Sequence, residues 1–193
     1  MTNTLRKGYG VSTIFKHRKR VSNRNPGGGV AVLYKTNKLN ITLINFQTKY
    51  EVLLCKIKLF NNSRPMFVFI VYYPPKLRAA EVRESMEEIS MQIAKLKTEH
   101  RNPHVLIAGD VNQFSVHKAI ADHDDLIQLD APPTRGAACL DIMASNFNNE
   151  VVECFFEALL ETRDAVPSDH GVLVARINLK HRHEFKWIRY RTR

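Results

Sequence analysis

The stretch His104-Val-Leu-Ile-Ala-Gly-Asp110-Val-Asn112-Gln-Phe114 decides how this chain is read. Apolar and small residues run from Val105 to Gly109 and stop at two polar side chains. A short, uninterrupted apolar run reads as a strand buried on both faces. Residues at i and i+2 of an extended backbone share a side, which would project Asp110 and Asn112 together at the strand's end. In open α/β sheets that end is where ligands bind. A carboxylate and a carboxamide there can accept a proton or bind a metal, and hydrogen-bond an anionic oxygen. An Asx-turn closing the strand is the plainer alternative.

Working upstream, Val82, Met86, Ile89, Ile93 and Leu96 recur at intervals of four, three, four and three, with charged residues between them. This predicts an amphipathic helix from Arg78 to Glu99 with one face on a sheet. Before it, Met66 to Tyr73 is apolar throughout and is stopped by Pro74-Pro75, a central strand. Tyr72 or Tyr73 therefore sits at a strand end as Asp110 does, either as an amphipathic core residue or as a functional one. Val30–Tyr34 and Ile41–Phe46 read as further strands. Leu53, Cys55, Ile57 and Leu59, alternating with Lys56 and Lys58, mark a half-buried one. Their close spacing implies antiparallel pairing. Asn25-Pro-Gly-Gly-Gly29 reads as a hairpin turn, not a P-loop, because no Lys-Ser/Thr follows. The basic run Lys16 to Arg20, with Arg24, is a solvated loop or a phosphate-facing one.

Downstream, the segment holding His117, His123, Asp124 and Asp125 lacks metal-site spacing and reads as a solvated loop. In Cys139-Leu-Asp141-Ile-Met-Ala144 a carboxylate interrupts an apolar strand. A buried carboxylate needs a partner. The dipeptide Asp169-His170, in a turn before the last strand, can supply one. Asp141 would accept from one imidazole nitrogen and raise the basicity of the other. A structural salt bridge or a metal would serve equally. Val151–Phe156 and the segment reaching Val174 are the closing strands.

The 193 residues fit one α/β domain. Lys and Arg number 29 against 19 acids, a net charge of +10, which favours nucleic acid or another polyanion as partner. Three scattered cysteines give neither a disulfide framework nor a zinc site, and read as reduced core thiols. The first residues lack the apolar core of a signal peptide and no run is long enough to cross a bilayer, so an intracellular, soluble protein with no membrane partner is expected.

Tyr72 before Pro74, Gly109-Asp110-Val-Asn112, Leu140-Asp141-Ile and Ser168-Asp169-His170 follow in that order, each at a strand terminus. Together they resemble the endonuclease/exonuclease/phosphatase superfamily. The finer pattern of Gly-Gly-Gly-Val-Ala-Val-Leu, Val-Tyr-Tyr-Pro-Pro, Pro-Thr-Arg and Leu-Asp-Ile-Met-Ala-Ser is similar to the apurinic-like endonuclease domain of LINE-type (non-LTR) retrotransposons. The likeness runs from about Gly8 to about Ile177.

The resemblance implies a four-layered α/β sandwich of two mostly antiparallel sheets flanked by helices. It implies a domain over 1–178 followed by a basic, aromatic tail or linker over 179–193. The implied chemistry is divalent-metal-dependent hydrolysis of DNA phosphodiesters, with Mg²⁺ or Mn²⁺. Asp110 would activate or position the water and Asn112 would bind the scissile phosphate. Tyr72 would contact the phosphate or the leaving oxygen. Asp141 would orient His170, whose imidazole contacts a non-bridging oxygen, and Asp169 would help hold the metal. Thr134, Arg135 and Ser168 would meet the DNA. A nuclear location and a reverse-transcriptase domain in a longer polyprotein are implied as well.

One departure is expected to matter. The family's first strands, one ending in a metal-binding Glu, should precede Gly8, where only seven residues stand, and neither Glu51 nor Glu81 falls at the matching place. The sequence therefore predicts impaired nicking. A DNA-binding relic of the domain is the rival, and a lipid- or inositol-phosphate phosphodiesterase the third reading.

Overall fold

The computed structural model of the chain describes residues 11–17, 29–36, 39–59, 64–112, 125–129, 133–147, 151–157 and 172–177. In chain order the elements are β1 (Val11–His17), β2 (Gly29–Lys35), β3 (Leu39–Ile44), β4 (Glu51–Leu59), β5 (Met66–Tyr72), α1 (Ala79–Glu99), β6 (His104–Asp110), β7 (Ile127–Gln128), β8 (Asp141–Ser145), β9 (Val151–Glu157) and β10 (Val172–Ile177). The strand and helix boundaries follow the hydrophobic periodicities closely; the two-residue β7 carries too little pattern to be seen in advance.

Six strands form one mixed sheet in the order β3-β4-β5-β6-β8-β7. Only β5 and β6 run parallel, because α1 carries the chain back across the sheet between them. The helix lays Val82, Met86, Ile89, Ile93 and Leu96 on Val52, Leu54, Phe67, Phe69, Val71, Val105, Ile107 and Ile142. Each fully buried side chain of this stripe is worth about 1.5–3 kcal/mol, so an acid at Ile89, which has no solvent exposure, would be enough to lift the helix off. Glu81 closes the helix start by accepting from the Arg78 amide at 3.1 Å and from its guanidinium at 3.0 Å.

The opposite face of the sheet is covered by two antiparallel pairs, β1–β2 and β9–β10. Val30 of β2 packs with Ile41, Leu53 and Cys55, joined by Ile14 and Val32. Ile177 of β10 packs against Met66, Val68 and Phe147. The architecture is thus the expected layered α/β sandwich. Among the described residues, the second sheet is represented by two separate hairpin pairs, and α1 is the one α-helix.

The basic run beginning at Lys16 differs from its reading as a loop. Lys16 lies within β1 and its ammonium donates to the carbonyls of Val52 at 2.7 Å and Tyr50 at 3.4 Å. The reason lies in the ladder. Pairing of β3 with β4 stops at Ile44 opposite Leu54, so on that side the Val52 carbonyl has no described strand to bond, and a cation takes its place. The cysteines also divide: Cys55 is buried, as expected, whereas Cys139 is exposed, because it lies in the loop before β8 and not in the strand.

Candidate active site

Three neighbouring strands bring Tyr72, Asp110 and Asp141 into one row. Tyr72 is the register partner of Asp110 across β5–β6, and Asp110 of Asp141 across β6–β8. Val71, Ile107 and Ile142 point into the core beneath α1, so by strand alternation the row lies on the hairpin side of the sheet. Strands lie about 4.8 Å apart, which puts the three α-carbons within about 10 Å. All three residues are half-buried. The row stands at the C-terminal ends of β5 and β6, where the sequence placed it.

Local chemistry fixes each member. At Gly109, opposite Val71, φ is +150° and an added Cβ would lie 1.9 Å from the Val71 carbonyl oxygen. Glycine is what lets β6 approach β5 this closely just before Asp110. The Asp110 carboxylate then accepts from the Asn112 amide at 2.8 Å, an Asx-turn. The turn and the functional reading are thus compatible, since the turn sets the orientation of the carboxylate. The extended-chain argument for Asn112 does not hold. Its φ is +52°, so the chain has already turned. The Asn112 side chain is buried and donates to the Tyr73 carbonyl at 2.8 Å, tying the end of β6 to the end of β5.

The two tyrosines separate cleanly. Tyr73 is fully buried on the helix side and donates to Ser85 Oγ at 3.0 Å; burial pushes its hydroxyl up to about 12. Tyr72 faces the other way, beside Asp110.

Asp141 is the first residue of β8 and is half-buried, not enclosed in an apolar strand as its sequence context suggested. Ahead of it, Thr134 to Ala138 form a tight turn, with Gly136 at φ +57° and Arg135 bridged to Ala138. Thr134 is 2% exposed and Arg135 is exposed. Ser168, Asp169 and His170 lie outside the described residues, as do His117, His123, Asp124 and the tail.

The register also reveals a fourth polar residue. Glu51 is the partner of Tyr72 across β4–β5 and shares the side of Leu53 and Cys55, so the row reads Glu51, Tyr72, Asp110, Asp141. Sequence order alone had set Glu51 aside. The available signal was its parity with Leu53 and Cys55, two and four residues on, in an antiparallel partner of Met66–Tyr72.

A hard divalent cation would find suitable oxygen donors in Asp110, Asp141 and Glu51. Among the described residues, however, no three such side chains converge on one point. The described donors match such a cation in type but not in number. No described helix is long and apolar enough to cross a membrane.

No family model matches the chain, and no curated protein sequence does. Solved structures do. The endonuclease domain of TRAS1, a telomere-specific non-LTR retrotransposon, superposes with a TM-score of 0.65 at 14% identity, over 89% of this chain and 81% of that one. The human Nocturnin catalytic domain gives 0.60 at 16% identity, over 86% and 71%. A mannosyl-6-phosphatase of Bacteroides thetaiotaomicron gives 0.58 at 13%, over 87% and 77%. At these identities the likeness is one of architecture: the chain has the endonuclease/exonuclease/phosphatase-type fold.

Proposed function

We propose that the chain is a divalent-metal-dependent DNA endonuclease, a nicking phosphodiesterase of the non-LTR retrotransposon type. The observation that carries this reading is the row of Tyr72, Asp110 and Asp141 across three adjacent strands at one end of the sheet. Phosphodiester hydrolysis needs a positioned water, a proton acceptor and donors on the phosphate oxygens. Asp110, oriented by its Asx-turn, is the acceptor for the water's proton. Tyr72 donates its hydroxyl to a phosphate oxygen. Asp141 orients His170, with Asn112 and Asp169 completing the set and Arg135 and Ser168 meeting the backbone. Mg²⁺ or Mn²⁺, when bound, would supply charge neutralisation at the phosphate. The net charge of +10 suits a polyanionic, nuclear substrate, and a reverse-transcriptase domain would be a natural companion in a polyprotein.

Relaxation of supercoiled plasmid tests this directly. Open-circle product that requires Mg²⁺, disappears with EDTA and is lost in Asp110→Ala and His170→Ala supports it. DNA retention without any nicking would favour the second reading, a DNA-binding relic.

A further inference from the structure

We propose that Thr134 is a positioning residue for Asp141, acting through the backbone at the start of β8 and not by touching DNA. This rests on the nicking reading above. The Thr134 side chain is 2% exposed, which leaves it almost no surface to offer a nucleic acid. Its hydroxyl oxygen accepts from two consecutive amides, Leu140 N–H and Asp141 N–H, each at 3.3 Å.

The ladder explains why an oxygen is needed there. On one side β8 pairs with β6 down to Asp141 opposite Asp110. On its other side β7 reaches only Ser145 and Ala144, and the Leu129 amide adds one bond to the Met143 carbonyl. Among the described residues no strand pairs with Asp141 on that side, and its half-buried amide finds its acceptor elsewhere. Thr134 provides it from a rigid base. Its own amide donates to the Ala138 carbonyl at 3.0 Å, Ala138 donates back to Arg135 at 2.9 Å, and Val111 donates to the Leu140 carbonyl at 2.8 Å. Residues 134–141 therefore form one hydrogen-bonded unit whose far end is the Asp141 backbone. Arg135 is exposed on the same turn.

Thr134→Val keeps the shape and removes the acceptor; Thr134→Ser keeps the acceptor. In plasmid nicking the valine chain is expected to lose about ten- to a hundredfold in kcat with KM for DNA unchanged, as small misplacements of a reacting group do, and serine to restore it. Amide exchange at Leu140 and Asp141 should quicken in the valine chain alone. A valine chain with raised KM and unchanged kcat, or unchanged exchange at both amides, would overturn the proposal. If the wild-type chain nicks nothing, the nicking reading falls while the exchange comparison still decides the clamp. If the valine chain does not fold, exchange in the wild type decides: the two amides protected like those of the β8 ladder support it, and free exchange overturns it.

Discussion

Asp110 and Asp141 face one another as register partners on adjacent antiparallel strands, at the end of the sheet where Tyr72 also stands. Like charges directly opposite on a sheet are unfavourable, so this pairing is one a stability-optimised sheet would avoid. On the proposed reading, replacing either by Asn should lower nicking without weakening the fold. Asp110→Asn and Asp141→Asn are each expected to lower nicking by about 10²–10⁴-fold, the usual range for a lost proton-transfer group. Thermal unfolding should show them melting no lower than the parent.

The adjacent tyrosines should split activity from stability. Tyr72→Phe removes a hydroxyl beside Asp110 and should cut nicking while leaving unfolding by urea unchanged. Tyr73→Phe removes the bond to Ser85 at 3.0 Å and should cost about 0.5–1.5 kcal/mol with nicking intact. Reversal of the two outcomes would move the site to the helix side of the sheet.

Gly109→Ala should damage the fold with a single methyl. The new Cβ would meet the Val71 carbonyl oxygen at 1.9 Å with φ at +150°, so β5 and β6 must separate. A loss of about 3 kcal/mol or more is expected from overpacking and backbone strain together. Urea denaturation of the purified variant measures it.

Lys16→Met keeps the aliphatic stem and withdraws the ammonium from the Val52 and Tyr50 carbonyls. The Val52 carbonyl then loses its 2.7 Å partner, at a cost of about 1–3 kcal/mol, while the Tyr50 carbonyl keeps the Val52 amide at 2.9 Å. Amide exchange should quicken first in β1 and at the start of β4. If the charge instead served DNA, the loss would show in binding at low salt with stability unchanged.

Alkali should destabilise the fold before it damages the chain. Burial pushes the Cys55 thiol up to about 11 from 9.0 and the Tyr73 hydroxyl up to about 12 from 10.0. The unfolded chain therefore releases these protons first. Stability is untouched below about pH 9 and falls as pH rises from there to about 12. Circular dichroism melts across pH 7 to 11 test the sign. In the same range a maleimide or iodoacetamide probe should label exposed Cys139 and spare Cys55 in the folded chain.

Where the sequence was legible, a single period governed the segment. The four-three-four-three spacing from Val82 to Leu96 gave α1, and the apolar runs ending at Tyr72 and Asp110 gave the two strands whose tips carry the candidate site. What escaped was decided by partners distant in sequence. Glu51 joins the row only because β4 and β5 pair in one register. Asn112 does not share a strand face with Asp110, because the chain turns to positive φ there and nothing in the apolar run signals it. Lys16 looked like the start of a solvated run because nothing local announces that β3 stops short of Val52. Thr134 is similar: its bonds to the Leu140 and Asp141 amides lie where the described β7 has ended, which no pattern around Pro133 records.

The row from Glu51 to Asp141 is gathered from β4, β5, β6 and β8, and the parallel step between β5 and β6 cannot form until α1 has crossed between them. On the proposed reading, a nascent chain that has not yet reached β8 lacks Asp141 and should not cut. The row is complete only once β8 has paired with β6.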